Sequence, residues 1–257
     1  MRHLLLVALL MSTSGSALAK QPLEETITKE YPVTANLRLT LHLTDGTVHI
    51  YGSDQNVIKL TAIKKAYTKE RLDAIKVDVT VNGDSAVIET VFPPKPTGLS
   101  IADRSGTVDY SLLVPQTCTI SELTVENGEI LVDGISGEGV NVRLTNGRIA
   151  ARNCFSATNL TLANGGLEIL YYWWEQRSFD VTAESRNGDI RIALPKNSDV
   201  RFDAATGNGW IRNRFLKDEQ EHDGGASQTR RWTMGAAPTG EIKIRADSGN
   251  VRIEDVY

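Results

Sequence analysis

The sequence predicts an all-β fold: a β-solenoid of stacked two-strand coils, preceded by a β-rich cap with one short helix. Three observations predict it. Asn-Gly pairs stand at 127/128, 146/147, 164/165, 187/188 and 208/209, so successive pairs lie 19, 18, 23 and 21 residues apart. Each pair is followed by alternating apolar and polar residues, as in "NGEILVDG", "NGRIAARN" and "NGDIRIAL". The segments before the pairs alternate too, as in "VNVRLTNG" and "NLTLANG". Period two marks a strand with one buried face, and Asn-Gly readily takes the positive φ of a tight turn. Short strands with regular turns also suit a sandwich of hairpins. A unit of about 20 residues holding two strands fits one coil of a stack better.

The elements follow in order. "MRHLLLVALLMSTSGSALAK" has Arg2 ahead of a short apolar run and ends in the Ala17-Leu18-Ala19 cleavage pattern, so residues 1–19 read as a secretory signal peptide. No later segment is long and apolar enough to suggest a transmembrane span. The expected location is exported, either periplasm or cell surface. Cleavage removes one of 28 basic residues and leaves 27 against 32 acidic, a formal charge of −5. That balance argues against nucleic acid as a partner.

Residues 20–115 read as the β-rich cap, which shields the first edge of the stack. Within it, "LRLTLHLTDGTVHIYG" turns at Asp45-Gly46, and "TKERLDAIK" is the one credible helix, with Thr68 as N-cap and Leu72 and Ile75 on one side. "VDVTVNGDSAVIETV" is a hairpin candidate, and "FPPKPTG" a loop broken by prolines. Residues 116–257 read as the repeats, continuous with the cap. Stacked in register, their inward positions are Ile130/Val132, Ile149/Ala151, Leu167/Ile169, Ile190/Ile192, Ile211, Ile242/Ile244 and Val251/Ile253. Gly128, Gly147, Gly165, Gly188 and Gly209 are the structural turns. "TGEIKIRA" and "SGNVRIED" read as two weaker copies that close the chain.

"LLVPQTCTISELTVENGEILVDGISGEGVNVRLTNGRI" and "SRNGDIRIALPKNSDVRFDAATGNGWI", with Leu-Pro or Val-Pro before a new series, resemble a bacterial family of exported, adhesin-like proteins of unknown function. The resemblance covers about residues 35–257 and rests on turns. It implies a right-handed β-solenoid and, by analogy only, surface interaction. It supplies no catalytic residue.

Candidate sites are few. Cys118 and Cys154 fall nearly in one column two coils apart, about 10 Å at the usual strand spacing, which is beyond disulfide reach; both are expected as unpaired buried thiols. A two-residue hairpin at Asp45-Gly46 would set His42 opposite His49, but the sequence places no further metal ligand. A solenoid arc at that turn would separate the two. The signatures G-x-S-x-G, H-E-x-x-H and G-x-x-x-x-G-K-[ST] are missing, and no cofactor is implied. Outward carboxylates such as Asp189 and Glu241 would have to pair across coils to serve a carbohydrate-active β-helix enzyme, the runner-up to a non-enzymatic binding protein.

Two surfaces carry the binding candidates. In "GGLEILYYWWEQRSF", continued alternation points Tyr171 and Trp173 inward and Leu170, Tyr172 and Trp174 outward, unless residues 217–234 fold back over the patch through Trp232. The outward column Leu131, Ala150, Glu168, Arg191, Arg212, Lys243, Arg252 ends in four basic residues. It forms a strip for an anionic envelope polymer unless Asp189, Glu241 and Glu254 neutralise it. The expected partners are therefore an envelope glycan, an anionic polymer or a protein.

Overall fold

The structure, a computed structural model, describes residues 21–94, 106–216 and 226–257. The signal peptide, the end of the proline-rich loop and residues 217–225 of the long insertion lie outside the described residues. The Asn-Gly turns are corners and not hairpins. β2 (Arg38–Ser53), β7 (Thr119–Asp133), β8 (Gly139–Arg152) and β9 (Ala157–Leu170) each run unbroken through a corner, and neighbours pair in parallel on both sides of it. Each coil is thus an L with a first arm, a glycine corner and a second arm, and return loops lead to the next coil.

Three further coils break at the corner: β10 (Phe179–Asn187) with β11 (Ile190–Leu194), β12 (Val200–Gly209) with β13 (Ile211–Asn213), and β15 (Gly240–Ser248) with β16 (Val251–Asp255). Their order in space is not their order in sequence. β15 lies between β10 and β12, and β16 between β11 and β13. β14 (Ala226–Met234) returns antiparallel on the outer edge of β12 and sends the chain back inside it. "TGEIKIRA" and "SGNVRIED" are therefore two arms of one coil, and Ile242 and Ile244 belong to the first arm.

The arms diverge at the N-terminal end. β5 (Ser85–Val91) extends the first arm beside β2, with β4 (Lys76–Asn82) antiparallel to it. β6 (Thr107–Pro115) extends the second arm, followed by antiparallel β3 (Val57–Ala66) and β1 (Leu23–Pro32). α1 (Lys69–Ala74) is capped by Thr68, whose hydroxyl accepts from the Arg71 amide at 3.2 Å, and Leu72 and Ile75 are buried. Inward residues of both arms form one core from Leu37 to Ile253.

The corner explains the Asn-Gly pairs. Gly128, Gly147, Gly165, Gly188 and Gly209 have φ between 135° and 156°, and a Cβ on Gly147 would stand 1.7 Å from the Gly128 carbonyl oxygen. The asparagines do a second job. Asn127 Nδ2 donates to Asp45 Oδ1, Asn146 to Asn127, and Asn164 to Asn146, all at 2.9 Å, and Asn187 donates to Asn164 at 3.0 Å. This amide ladder locks adjacent coils in register. Asn146→Asp removes one donor and leaves the rest in place, so a loss of about 1–3 kcal/mol is expected in urea unfolding at neutral pH. An unchanged midpoint would mean that the ladder carries no stability.

The corner also settles the histidines. His42 pairs with Glu89 and Thr124, and His49 with Ser111 and Leu131. They lie on opposite arms of one strand, so the cross-strand histidine pair of a hairpin does not form.

Candidate functional site

The outward column of the second arm runs Leu131, Ala150, Glu168, Arg191, Arg252, Arg212. Lys243 is not part of it. It lies on the first arm, in register with Thr182 and Asp203, with its Nζ 3.4 Å from Glu241. The predicted four-residue basic run counted "TGEIKIRA" and "SGNVRIED" as separate copies, whereas β15 is the first arm that leads through the Gly249 corner into β16.

Inserting β16 beside β11 brings Glu254 to Arg191. Arg148 reaches Glu168 at 2.7 Å; Arg191 bonds Glu168 and, at 2.6 Å, Glu254; Arg214 bonds Glu254 at 3.2 Å. Signs thus alternate along five side chains, and the two carboxylates are buried while the arginines are partly exposed. Burial raises the Glu168 pKa, but the hydrogen bonds from Arg191 and Arg148 outweigh it and hold the carboxyl below its usual range. Beyond the network, the Arg212 and Arg252 guanidinium carbons lie 5.0 and 5.6 Å from the centre of the Trp210 ring. The expected partners Asp189 and Glu241 are elsewhere: Asp189 accepts from the Asn250 amide at 2.8 Å, and Glu241 is on the other arm.

A depressed carboxylate contributes stability that is present above its unfolded pKa and is lost as pH falls through the folded one. The native protein should therefore lose stability below about pH 4.5, the ordinary glutamate value. Arg191→Ser should cost about 1–2 kcal/mol at pH 7, discounted for the exposure of the arginine, and should fall less steeply on acidification. Parallel pH curves for the two proteins would contradict the network.

The aromatic segment leaves the predicted alternation where β9 ends at Leu170. Leu170 and Tyr171 are both buried, and the Tyr171 hydroxyl donates to the Cys154 carbonyl at 3.0 Å. Trp174, expected outward, is half-buried, its ring 5.3 Å from Phe179, 5.7 Å from Tyr171 and 6.3 Å from Phe155. Trp173, expected inward, is 50% exposed, and Tyr172 is 40% exposed. Trp232 does not cover them; it stacks on Phe202 at 5.0 Å, at the C-terminal end of the first arm. Cys118 and Cys154 are buried free thiols, their pKa values pushed up to about 12 by burial, far from the range of a reactive thiolate.

Beside Trp173 a groove of about 600 Å³ opens along the ends of the second arms, between Tyr51 and the return loops. Asp133, Asn153, Glu175 and Arg177 line it, and Gly52 and Gly134 leave its floor without side chains. The indole N–H of Trp173 donates to Glu175 at 3.2 Å, which orients the ring. Asn153 has φ 48°, and is the one described non-glycine residue with positive φ. Its amide donates to Asp133 at 3.2 Å and its oxygen accepts from the Tyr172 amide at 3.0 Å, so one side chain joins floor to aromatic wall. Sequence reading missed Tyr51, Asp133, Asn153 and Glu175, because the groove forms where the ends of separate coils meet the return loop after β9.

A sheet of L-shaped coils with glycine corners finds its counterpart among known proteins. The chain matches the family Toastrack DUF4097 over residues 24–254. It belongs to that family. A similar fold is seen in a solved Clostridium sporogenes protein named "putative cell adhesion protein", at 18% identity and TM-score 0.54, covering 91% of this chain and all of that one. Looser overlays, both at 12% identity and about 90% coverage of this chain, join it to a "putative adhesin" of Bacteroides fragilis (TM-score 0.35) and a "putative lipid binding protein" of Parabacteroides distasonis (TM-score 0.33), with 97% of each of those chains covered. No curated protein matches. Among the described residues no helix is long and apolar enough to cross a membrane.

Proposed function

We propose that this Toastrack protein is an exported, non-enzymatic, adhesin-like binding protein of the cell envelope, acting in the periplasm or at the cell surface. The observation that carries the reading is an exposed, oriented tryptophan beside a polar groove on a rigid frame. Exposed aromatic surface in such a setting marks contact with a partner or glycan. The name of the Clostridium neighbour agrees with it, and the Ala17-Leu18-Ala19 pattern supports export with cleavage after residue 19. Cap and repeats share one core and act as one unit.

Two observations weigh against the alternatives. Glu168 and Glu254 are each held by two arginines, and Glu168 is kept ionised, the reverse of what a general acid needs. The same ion pairs compensate Arg191 and Arg214 of the strip proposed for an anionic polymer, while Arg212 and Arg252 lie against Trp210; the exposed aromatic surface therefore carries the binding reading in preference to the arginine column. Mature protein incubated with isolated envelopes should sediment with them at physiological salt and release no new reducing or unsaturated ends. Protein left wholly in the supernatant would overturn the binding reading, and released ends would replace it with an enzyme.

A further inference from the structure

We infer that the groove beside Trp173 is a subsite for an uncharged pyranose unit of a glycan, with the exposed face of the indole as its stacking platform. The inference deepens the envelope-binding reading and rests on it. A sugar ring offers an apolar face of C–H groups and a rim of hydroxyls. It calls for an aromatic surface flanked by short, fixed polar groups, and this groove supplies both. Trp173 is half-exposed, yet its ring is held by Glu175 and lies 6.2 Å from Phe155. Little rotamer entropy is then lost on stacking. Asp133 presents a half-buried carboxylate near the floor, fixed by the hydrogen bond from the buried Asn153 amide. The volume of about 600 Å³ lies in the range of small-ligand clefts.

Charge selects among sugars. Asp133 and Glu175 face the groove with Arg177, whose guanidinium lies 3.7 Å from Glu175, so the lining has an excess of one negative charge. A uronate would meet like charge, whereas a neutral ring would not. The left-handed backbone of Asn153 fits a positioning role. Asparagine is among the few residues that tolerate this conformation, and strain of this kind gathers where geometry must be fixed.

The test is titration of mature protein with cellotriose, maltotriose, the N-acetylglucosamine trimer and trigalacturonate, followed by tryptophan fluorescence and calorimetry. At least one neutral trisaccharide should bind and shift the emission, with trigalacturonate weaker. Trp173→Ala should weaken binding about tenfold or more, as expected for loss of one well-placed aromatic contact. Trp173→Phe should retain part of the affinity, and melting of both variants should match native. Glu175→Ala, which frees the ring, should give a smaller loss without changing the melt. If no neutral trisaccharide binds, or if trigalacturonate binds as well as the best of them, the inference fails. Envelope sedimentation run alongside separates the two levels: persistence with native protein but no trisaccharide binding removes the sugar subsite and leaves the binding reading, and loss of both removes both.

Discussion

Gly188→Val should lose at least about 4 kcal/mol of stability, a size reserved for changes that the fold cannot absorb. The corner glycines stack directly on one another. A Cβ at Gly188 would stand 1.7 Å from the Gly165 carbonyl oxygen, and its φ of 155° is one that side chains rarely adopt. The obstructing atom is backbone in a paired strand, so relief requires the adjacent coil to move. A Cβ at Gly249 would in turn stand 2.1 Å from the Gly188 carbonyl oxygen, so the corner on the other side of Gly188 has no room to give either. The measurement is urea unfolding followed by circular dichroism. A midpoint within error of native would mean that the corners are not packed as described.

Trp174→Ala should cost about 3–5 kcal/mol, the usual range for deleting a packed aromatic side chain. Its ring touches a cluster of Phe155, Tyr171 and Phe179 at centroid distances of 5.3 to 6.3 Å, where the return loops close the open side of the L. The indole nitrogen has no hydrogen-bond partner, so little polar compensation is lost with it. Trp173→Ala, one residue earlier, should change stability by no more than about 0.5 kcal/mol, as for an exposed position. Equal effects at the two positions would mean that the cluster is assigned to the wrong tryptophan.

That one-residue contrast shows what local pattern can and cannot carry. Alternation specified the arms, because residues such as Ile149 and Ala151 must share a face wherever a strand is paired. Thr68 and the Asn-Gly pairs specified a helix start and the corners, because their chemistry is local. Beyond Leu170 the chain leaves the sheet, and period two loses its physical basis. The placing of Trp173 and Trp174 is then decided by Phe155 and Phe179, which no local pattern connects. The 23-residue spacing across this segment did signal extra length, though not its direction.

The arginine column kept Arg191, Arg212 and Arg252, but in another order and without Lys243. Every coil presents the same parallel edges and the same glycine corner, so nothing in the repeat says which coil stacks on which. The pins are single contacts: Asn250 donates its amide to Asp189 at 2.8 Å, and Trp210 donates its own to Asn250 at 3.2 Å. They place Glu254 beside Arg191; Lys243 falls on the other arm for a different reason, that β15 precedes the corner at Gly249. The groove was hidden likewise, since Tyr51, Asp133 and Asn153 come from three coils and meet only at their ends.

The insertion of the last coil is what sets Glu254 beside Arg191 and Lys243 away from the arginine column, and paired cysteines test it directly. Glu184 is in register with Arg245, and Arg245 in turn with Ala205, all on the outer face of the first arm. Adjacent parallel strands lie about 4.8 Å apart, within disulfide reach, and alternate ones about 10 Å apart, beyond it. Under mild oxidation, Glu184→Cys with Arg245→Cys should form an intramolecular disulfide, and Glu184→Cys with Ala205→Cys should not. The opposite result, a 184–205 bond and no 184–245 bond, would restore the chain-order stack and contradict the site built on it.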